Sequence, residues 1–189
     1  MGVAIVPPTN GGRALASALT NLATNVWSCV AAPVQYAALV AYSGDPDIEE
    51  YVGLCSRMHA IRTKYLYNLM VRLGVSCVEP SGAFYIFPSF DDFEEALNAR
   101  GIKNDEELAM YLLDRYEIAA LPGSAFNAVR KFCLRVSSSF IDLATDEKAE
   151  ALVAAFREDP DPERFIKNHH PRLQKVAERF EEFMEDLKR

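Results

Sequence analysis

The chain has 189 residues and a formal net charge of −7 at pH 7, with half of its residues hydrophobic and a quarter charged. This composition is that of a folded globular protein, and no apolar run is long enough to cross a bilayer. Lys and Arg are scattered among acidic residues, which argues against a nucleic-acid surface. Residues 1–8 lack the basic start and long apolar core of a signal peptide, so we expect a cytoplasmic protein with no membrane partner.

The cysteines and histidines predict neither a metal site nor a disulfide framework. The four cysteines are far apart in apolar contexts, and no pair has the spacing of metal ligands. In a chain of this size we therefore expect buried free thiols in a reducing compartment.

The first predicted elements are a short strand and three helices. Residues 3–6 are an apolar run closed by two prolines, which predicts a strand that ends abruptly. Helical spacing then continues through Trp27, and a second helix is predicted between Pro33 and Gly44. Residues 47–73 contain no proline and form one helical stripe, predicting a helix of roughly 40 Å. Such a helix could bridge two structural units or be an ordinary core helix.

Past residue 74 the hydrophobic period becomes strand-like. Residues 75–78 and 83–87 predict two strands joined as a hairpin by the turn at 79–82. The elements predicted next are a helix over 105–116, a strand over 117–121, a turn over 122–124 and a strand over 132–137. Strands separated by helices favour an α+β fold with a small sheet over a doubly wound sheet.

The C-terminal part is predicted to be helical. Thr145 or Asp146 can cap a helix that runs through Phe156, and the prolines at 160 and 162 end it. After Pro171 the apolar residues form one face of an amphipathic helix. That face either packs on its own domain or recruits a partner protein.

Arg135 stands in the middle of the apolar strand predicted over 132–137. On a half-exposed strand an arginine usually faces water. A guanidinium directed inward is instead suited to a bidentate grip on a carboxylate or phosphate. The pattern alone leaves both interpretations open.

Five segments, taken in order, resemble the C-terminal part of a class I/II, fold-type-I, pyridoxal-phosphate-dependent aminotransferase of the aspartate and aromatic kind. Their order at family-like separations makes the resemblance specific, although each segment alone is a weak signal. They are the strand at 2–7, the Ser/Pro/Gln/Ala helix junction at 27–39, the P-x-G-A-F-Y-x-F-P hairpin at 79–88, the P-G-S-x-F turn within 118–126 and the Leu-Arg-Val-Ser strand at 134–137.

The resemblance implies a domain organisation. Residues 1–46 would be the end of the large cofactor domain, residues 47–74 the interdomain helix, and residues 75–189 the C-terminal small domain with an extra terminal helix. Residues 28–33 resemble a segment that approaches the neighbouring subunit's active site, which implies a homodimer.

The resemblance also implies roles for single residues. Arg135 would bind the α-carboxylate of the amino-acid substrate, and Phe84 would line the pocket beside it, unless Phe84 is only hairpin core. The turn at 122–126 would bring the neighbouring strand toward the same pocket. No arginine stands in residues 20–32 to bind a distal carboxylate, which leaves aspartate specificity unsupported and aromatic or aliphatic amino acids possible.

The family's reaction transfers an amino group between an amino acid and a 2-oxo acid and needs a lysine that forms a Schiff base with pyridoxal phosphate. In the family this lysine precedes the opening strand, and the lysines of this chain all fall in segments that do not match. The resemblance therefore implies a fragment with no catalytic or cofactor-binding residue of its own. Pyridoxal phosphate would bind the intact parent, and the chain alone would be inactive.

Two other functions remain open at this point. One is a stand-alone, non-catalytic interaction module built on the aminotransferase small domain, with the last amphipathic helix as its docking element. The other is an enzyme assembled from split chains, in which a second polypeptide holds the lysine.

Overall fold

The computed structural model describes residues 3–189, which divide into two compact units, one ending at Tyr51 and the other comprising Val52–Arg189. The first unit contains helices α1 (Asn10–Val26) and α2 (Ala32–Ala41). The hydroxyl of Thr9 caps α1 by accepting a hydrogen bond from the Gly12 N–H at 3.1 Å. Residues 3–6 form no strand, so that prediction is wrong. A strand needs a neighbour to complete its ladder, and residues 3–51 contain none.

Helix α3 (Pro46–Leu73) confirms the predicted long helix. It ends at Gly74, which adopts a φ of 80°, a left-handed conformation that glycine reaches without steric cost. From Leu54 onward its apolar stripe is buried within the second unit.

Short antiparallel strands form the sheet layer of the second unit. They are β1 (Ser76–Cys77), β2 (Tyr85–Ile86), β3 (Pro88–Ser89), β4 (Leu121–Pro122) and β5 (Leu134–Ser137). β1 pairs with β3, while β5 lies between β2 and β4. The predicted hairpin pairing is therefore wrong, because β1 and β2 each pair with a different strand. Alternation of side chains identifies a strand but does not choose its partner.

The remaining helices are α4 (Glu94–Ala99), α5 (Asp105–Tyr116), α6 (Asp146–Glu158), α7 (Pro162–His169) and α8 (Pro171–Leu187). The predictions of α5, α6 and α8 are confirmed. The strand predicted over 117–121 is limited to its last residue, because Glu117 turns the chain with a φ of 56°. Helix α7 was not predicted: the prolines before it read as a break, whereas Pro162 follows the N-cap Asp161 and begins a helix.

Helix α8 completes the main core of the second unit. Its apolar face lies with side chains of α3, α5 and the strands, and the α+β fold class with a small sheet flanked by helices is confirmed. The buried residues that α8 contributes are Leu173, Ala177, Phe180, Phe183, Met184 and Leu187. No helix within residues 3–189 combines the length and the apolar character needed to span a membrane.

Candidate functional site

Arg135 lies on the outer face of the sheet β2-β5-β4. Along β5 the side chains alternate, with Leu134 and Val136 buried in the core and Arg135 and Ser137 half-buried on the opposite face. The register places Leu121 of β4 directly opposite Arg135. The guanidinium therefore belongs to a partly open surface of the sheet rather than to the core.

Aromatic rings surround this guanidinium. Its central carbon lies 4.0 Å from the ring centre of Phe126 and 4.6 Å from that of Tyr85. Phe87 meets Phe126 edge to face, with 6.1 Å between ring centres. A cation held over aromatic faces gains electrostatic stabilisation that increases as water is excluded.

Arg135 has no acidic partner in the part of the chain that the structure describes. No carboxylate among residues 3–189 lies within 4.0 Å of its guanidinium, although other arginines form such ion pairs, as Arg72 does with Glu181 at 2.6 Å. Its Nε atom is shielded from solvent and finds no hydrogen-bond partner within residues 3–189. A shielded N–H group without an acceptor is costly, so this arrangement favours binding of an anion.

The turn that carries Phe126 is held tightly against β5. Gly123 donates its N–H to the Cys133 carbonyl at 2.7 Å, and a Cβ at Gly123 would lie 2.9 Å from both the Cys133 carbonyl oxygen and its Cβ. Only glycine allows this approach. On the other side, buried Asp105 at the start of α5 accepts hydrogen bonds from the Ser124 N–H at 2.7 Å and the Ser124 hydroxyl at 3.0 Å.

Phe84 contacts Tyr85, whose ring in turn contacts Arg135. Its ring centre is 4.6 Å from that of Tyr85 and 5.5 Å from that of His59 on α3. Its carbonyl accepts the Ser138 N–H at 2.9 Å, which ties the start of β2 to the end of β5. Tyr85 and Phe126 contact the guanidinium directly. From the sequence Phe126 was named only as the end of the turn at 122–126 and Tyr85 was given no role, since their contacts with Arg135 require the strand pairing.

The predicted intersubunit segment, residues 28–33, belongs to the first unit. It joins α1 to α2, its residues are exposed, and Ser28 adopts a φ of 64°. Outside glycine this left-handed conformation is uncommon, so the segment has a specific bend.

A cavity of about 790 Å³ lies elsewhere in the second unit and contains neither Arg135 nor Phe84. It opens between α3, residues 79–83 and α7, and its polar groups include the ion pair of Lys64 with Glu79. Ile61, Tyr65 and Ile166 supply apolar surface. We favour the Arg135 face as the candidate functional site, because Arg135 has no acidic partner among residues 3–189, whereas the cavity contains charged groups of both signs.

A buried polar cluster lies where α3 approaches the start of α8. Arg62 is fully buried, donates to the Ile141 carbonyl and lies 3.4 Å from His59 Nδ1. Burial lowers the pKa of Arg62 to about 10, an effect that the charge of Asp142 partly opposes. His170 is also fully buried, and neither ring nitrogen has a hydrogen-bond partner in the described part of the chain. Burial together with the Arg62 charge lowers its pKa to about 4.

The cysteines form no disulfide and belong to no metal-ligand cluster among the described residues. All four are free thiols, but only Cys133 is buried as predicted, because Cys55 and Cys77 are half-buried and Cys29 is exposed. Burial raises the pKa of Cys133, and it raises that of Cys77 to about 11, which disfavours the reactive thiolate at both positions. No cluster of histidine, cysteine and acidic side chains in residues 3–189 has the geometry of a metal site.

Comparisons with known proteins agree on one family. The family model described as aminotransferase class I and II matches residues 1–156. An aspartate aminotransferase of Geobacillus stearothermophilus is 33% identical over 136 residues, which are 71% of this chain and 33% of that protein. The chain thus spans about a third of the length of the curated relatives it matches.

Solved structures show the same similarity. An aspartate aminotransferase from Thermotoga maritima superposes with a TM-score of 0.56 and 25% identity, over 91% of this chain and 33% of that one. A mutant aspartate aminotransferase from Thermus thermophilus superposes with a TM-score of 0.61 and 21% identity, over 89% of this chain and 36% of that one.

Proposed function

Because the chain belongs to the aminotransferase class I and II family, we propose that it is the carboxylate-binding part of an enzyme that transfers an amino group between an amino acid and a 2-oxo acid. Arg135 binds the α-carboxylate that both substrates carry. The Schiff-base lysine is not among the residues of this chain, which is inactive alone.

The observation that carries the proposal is the unpaired guanidinium of Arg135. It is half-buried among aromatic rings, without a carboxylate within 4.0 Å among residues 3–189 and with an unsatisfied Nε. A substrate carboxylate would supply the missing charge and acceptor, and a planar guanidinium can hold it in one orientation. The surrounding rings keep water away, which strengthens the pair.

Pyridoxal phosphate is the cofactor that the family implies, and when bound it supplies the electron sink for amino-group transfer. The lysines of this chain do not fit its anchor. All seven are in the described part, each is at least partly exposed, and none is found in contact with Arg135 or its aromatic neighbours. We therefore assign to this chain the binding and orientation of substrate and no step at the cofactor.

The face around Arg135 supports a substrate with an apolar side chain. Leu121 lies opposite Arg135 in the register, the rings of Tyr85 and Phe126 lie over its guanidinium, and Phe87 contacts Phe126. No ion pair or cation–ring contact found among residues 3–189 brings a second arginine or lysine to these groups. A distal carboxylate would have no counter-charge there, so we propose aromatic or aliphatic amino acids as substrates.

We also propose that the intact enzyme is a homodimer. The exposed, bent segment at 28–33 is the part of the chain that would approach the neighbouring subunit. The alternative function, an interaction module that docks through its last helix, loses its motivating feature, since the apolar face of α8 is buried in its own unit.

Carboxylate binding is the first test. In the ¹⁵N-labelled chain titrated with sodium propionate at constant ionic strength, we expect the Nε–H signal of Arg135 to shift with saturation. Arg130 provides the control signal. Its side chain is exposed and already forms an ion pair with Asp91 at 3.7 Å, so its signal should not respond. An Arg135 signal that moves no more than that of Arg130 would refute carboxylate binding.

Activity is the second test. With pyridoxal phosphate and an amino-acid and 2-oxo-acid pair, the chain alone should show no amino transfer and no borohydride-reducible adduct; a stable adduct at one lysine contradicts the proposal. In an assembly with a polypeptide that supplies the lysine, Arg135→Ala should reduce kcat/KM by the equivalent of about 3–5 kcal/mol, the cost of breaking a buried charge pair. Arg130→Ala should leave it unchanged.

A further inference from the structure

We propose that Asp105 is a positioning residue for the carboxylate site: it fixes the turn that holds Phe126 over Arg135 and thereby sets the affinity of Arg135 for carboxylates. This inference rests on the proposed function of Arg135. It assigns a role in substrate binding to a buried side chain on another element.

Asp105 is buried without a cationic partner. Its side chain is only 4% exposed, and no lysine or arginine in the described residues lies within 4.0 Å of its carboxylate. Burying a carboxylate is costly unless hydrogen bonds or dipoles compensate for the lost water. Its position at the start of α5 supplies the favourable end of the helix dipole.

The rest of the compensation comes from one residue, Ser124. The two oxygens of Asp105 accept from the Ser124 N–H and from its hydroxyl at 2.7 and 3.0 Å. Hydrogen bonds to an ionised acceptor are stronger than neutral ones. Ser124 lies in the 3-10 turn Gly123–Phe126, so the carboxylate anchors the turn two residues before Phe126.

The anchor determines where the Phe126 ring stands. The turn is held at one end by the Gly123 N–H to Cys133 bond and closes at Asn127, which adopts a left-handed φ of 58°. The Phe126 ring itself is 39% exposed, and its ring contacts are the Arg135 guanidinium and the edge of Phe87. A ring that exposed is not fixed by core packing, so its position depends on the backbone of the turn.

The ring position matters because it controls the surroundings of the guanidinium. Phe126 at 4.0 Å is the closer of the two rings over Arg135. Removing it would admit water to the guanidinium, and water weakens the attraction between Arg135 and a carboxylate. Loss of the anchor should therefore weaken carboxylate binding about fivefold, equivalent to about 1 kcal/mol.

The experiment compares two aspartates in the full chain. Asp105→Ala removes the anchor of the turn. Asp91→Ala is the matched control, because Asp91 accepts the Phe132 N–H at 2.8 Å and so also fixes backbone near β5, but away from Phe126. The first readout, taken without ligand, is the chemical shift of the Arg135 Nε proton, which the ring current of Phe126 displaces. The second is the Kd for propionate.

The proposal expects Asp105→Ala to move the Arg135 proton to the position seen in Phe126→Ala and to raise the Kd about fivefold. Combining both substitutions should add nothing further, and Asp105→Asn, which keeps an acceptor for the Ser124 N–H, should restore most of the wild-type values. Asp91→Ala should lower stability without changing either readout. If Asp105→Ala lowers the folded fraction, Ser124→Ala can be tested instead. It removes only the hydroxyl bond to Asp105, so both readouts should change in the same direction by a smaller amount.

An unchanged Arg135 proton and an unchanged Kd in folded Asp105→Ala would overturn the proposal and leave Asp105 with a purely structural role. Failure of the proposed function has a different signature, since the wild-type Arg135 signal would then not respond to propionate at all. In that case the ring-current comparison still decides whether Asp105 positions Phe126.

Discussion

Helices α1 and α8 have the same length, 17 residues, and both carry an apolar stripe at helical spacing, yet their surroundings are opposite. The stripe of α8 is buried except at Val176, which is partly buried against the same core. In α1 the corresponding residues are exposed, from 40% at Leu19 to 65% at Val26, and the one buried residue is Gly12. The spacing of hydrophobic residues therefore predicts a helix and its apolar face, whereas the rest of the fold determines whether that face is buried.

The largest expected effect on stability comes from a substitution in the buried apolar face of α8. Phe183 is 1% exposed and its ring contacts those of Phe90, Tyr111 and Tyr116 at 5.9, 6.3 and 5.3 Å. Phe183→Ala should lower the free energy of unfolding by about 3–5 kcal/mol, because it loses buried area and leaves a cavity. Urea unfolding followed by circular dichroism measures this change, and a loss below about 1 kcal/mol would mean that α8 does not belong to the core.

An intermediate effect concerns pH at the start of α8. The ordinary pKa of histidine is about 6.5, and burial beside Arg62 holds that of His170 at about 4, so folding favours the neutral ring. Its contribution to stability is therefore complete above pH 6.5 and is lost as the pH falls toward 4, on the order of 3 kcal/mol in all. Asp142 opposes this loss, since its charge favours the protonated ring. Helix α1 buries no ionisable side chain and has no such dependence.

His170→Leu tests this dependence, because leucine has a similar volume and does not titrate. Relative to wild type, the variant should lose stability less steeply between pH 6.5 and 4 in urea unfolding. His169→Leu is the matched control at an exposed neighbouring position and should keep the wild-type slope. Parallel slopes for wild type and His170→Leu would show that His170 is not buried neutral.

The smallest effect on stability is expected in α1. Leu22 is 54% exposed, so Leu22→Ala should change the free energy of unfolding by less than about 0.5 kcal/mol. The exposed stripe should instead drive concentration-dependent association, which sedimentation velocity would detect and which Leu19→Glu with Leu22→Glu should reduce. A loss of 2 kcal/mol or more in Leu22→Ala would show that this face is covered in solution.

Most of the helical fold was predictable from sequence, because helices are determined locally. α3, α5, α6 and α8 followed from periodicity together with capping residues such as Thr145 and stop signals such as Gly74. Sheet pairing was not predictable in this way, and the expected hairpin proved wrong. Strands of two to four residues carry too little pattern to choose a partner, and β5 comes more than forty residues after β2, with which it pairs.

For the candidate site, sequence identified Arg135 but not its surroundings. A charged residue in an apolar strand is conspicuous, and the family resemblance gave it a role. Tyr85, Phe126 and Asp105 come together only through the register of three strands and the turn after β4. Of the residues named from sequence, Phe84 lies beside Tyr85 and His59, and its role in the pocket stays a prediction.

The alternation of side chains along β5 means that an insertion within this strand should disrupt the site, whereas an insertion in the loop before it should not. One residue inserted between Leu134 and Arg135 would place the two side chains on the same face, so that either the guanidinium would be directed into the core or the leucine out of it. An insertion a few residues earlier, beside the 99% exposed Val129, would be absorbed by the loop. Insertions and deletions in natural relatives should therefore be found in the loop before Phe132 and be absent from β5, because only changes within the strand alter which face Arg135 lies on.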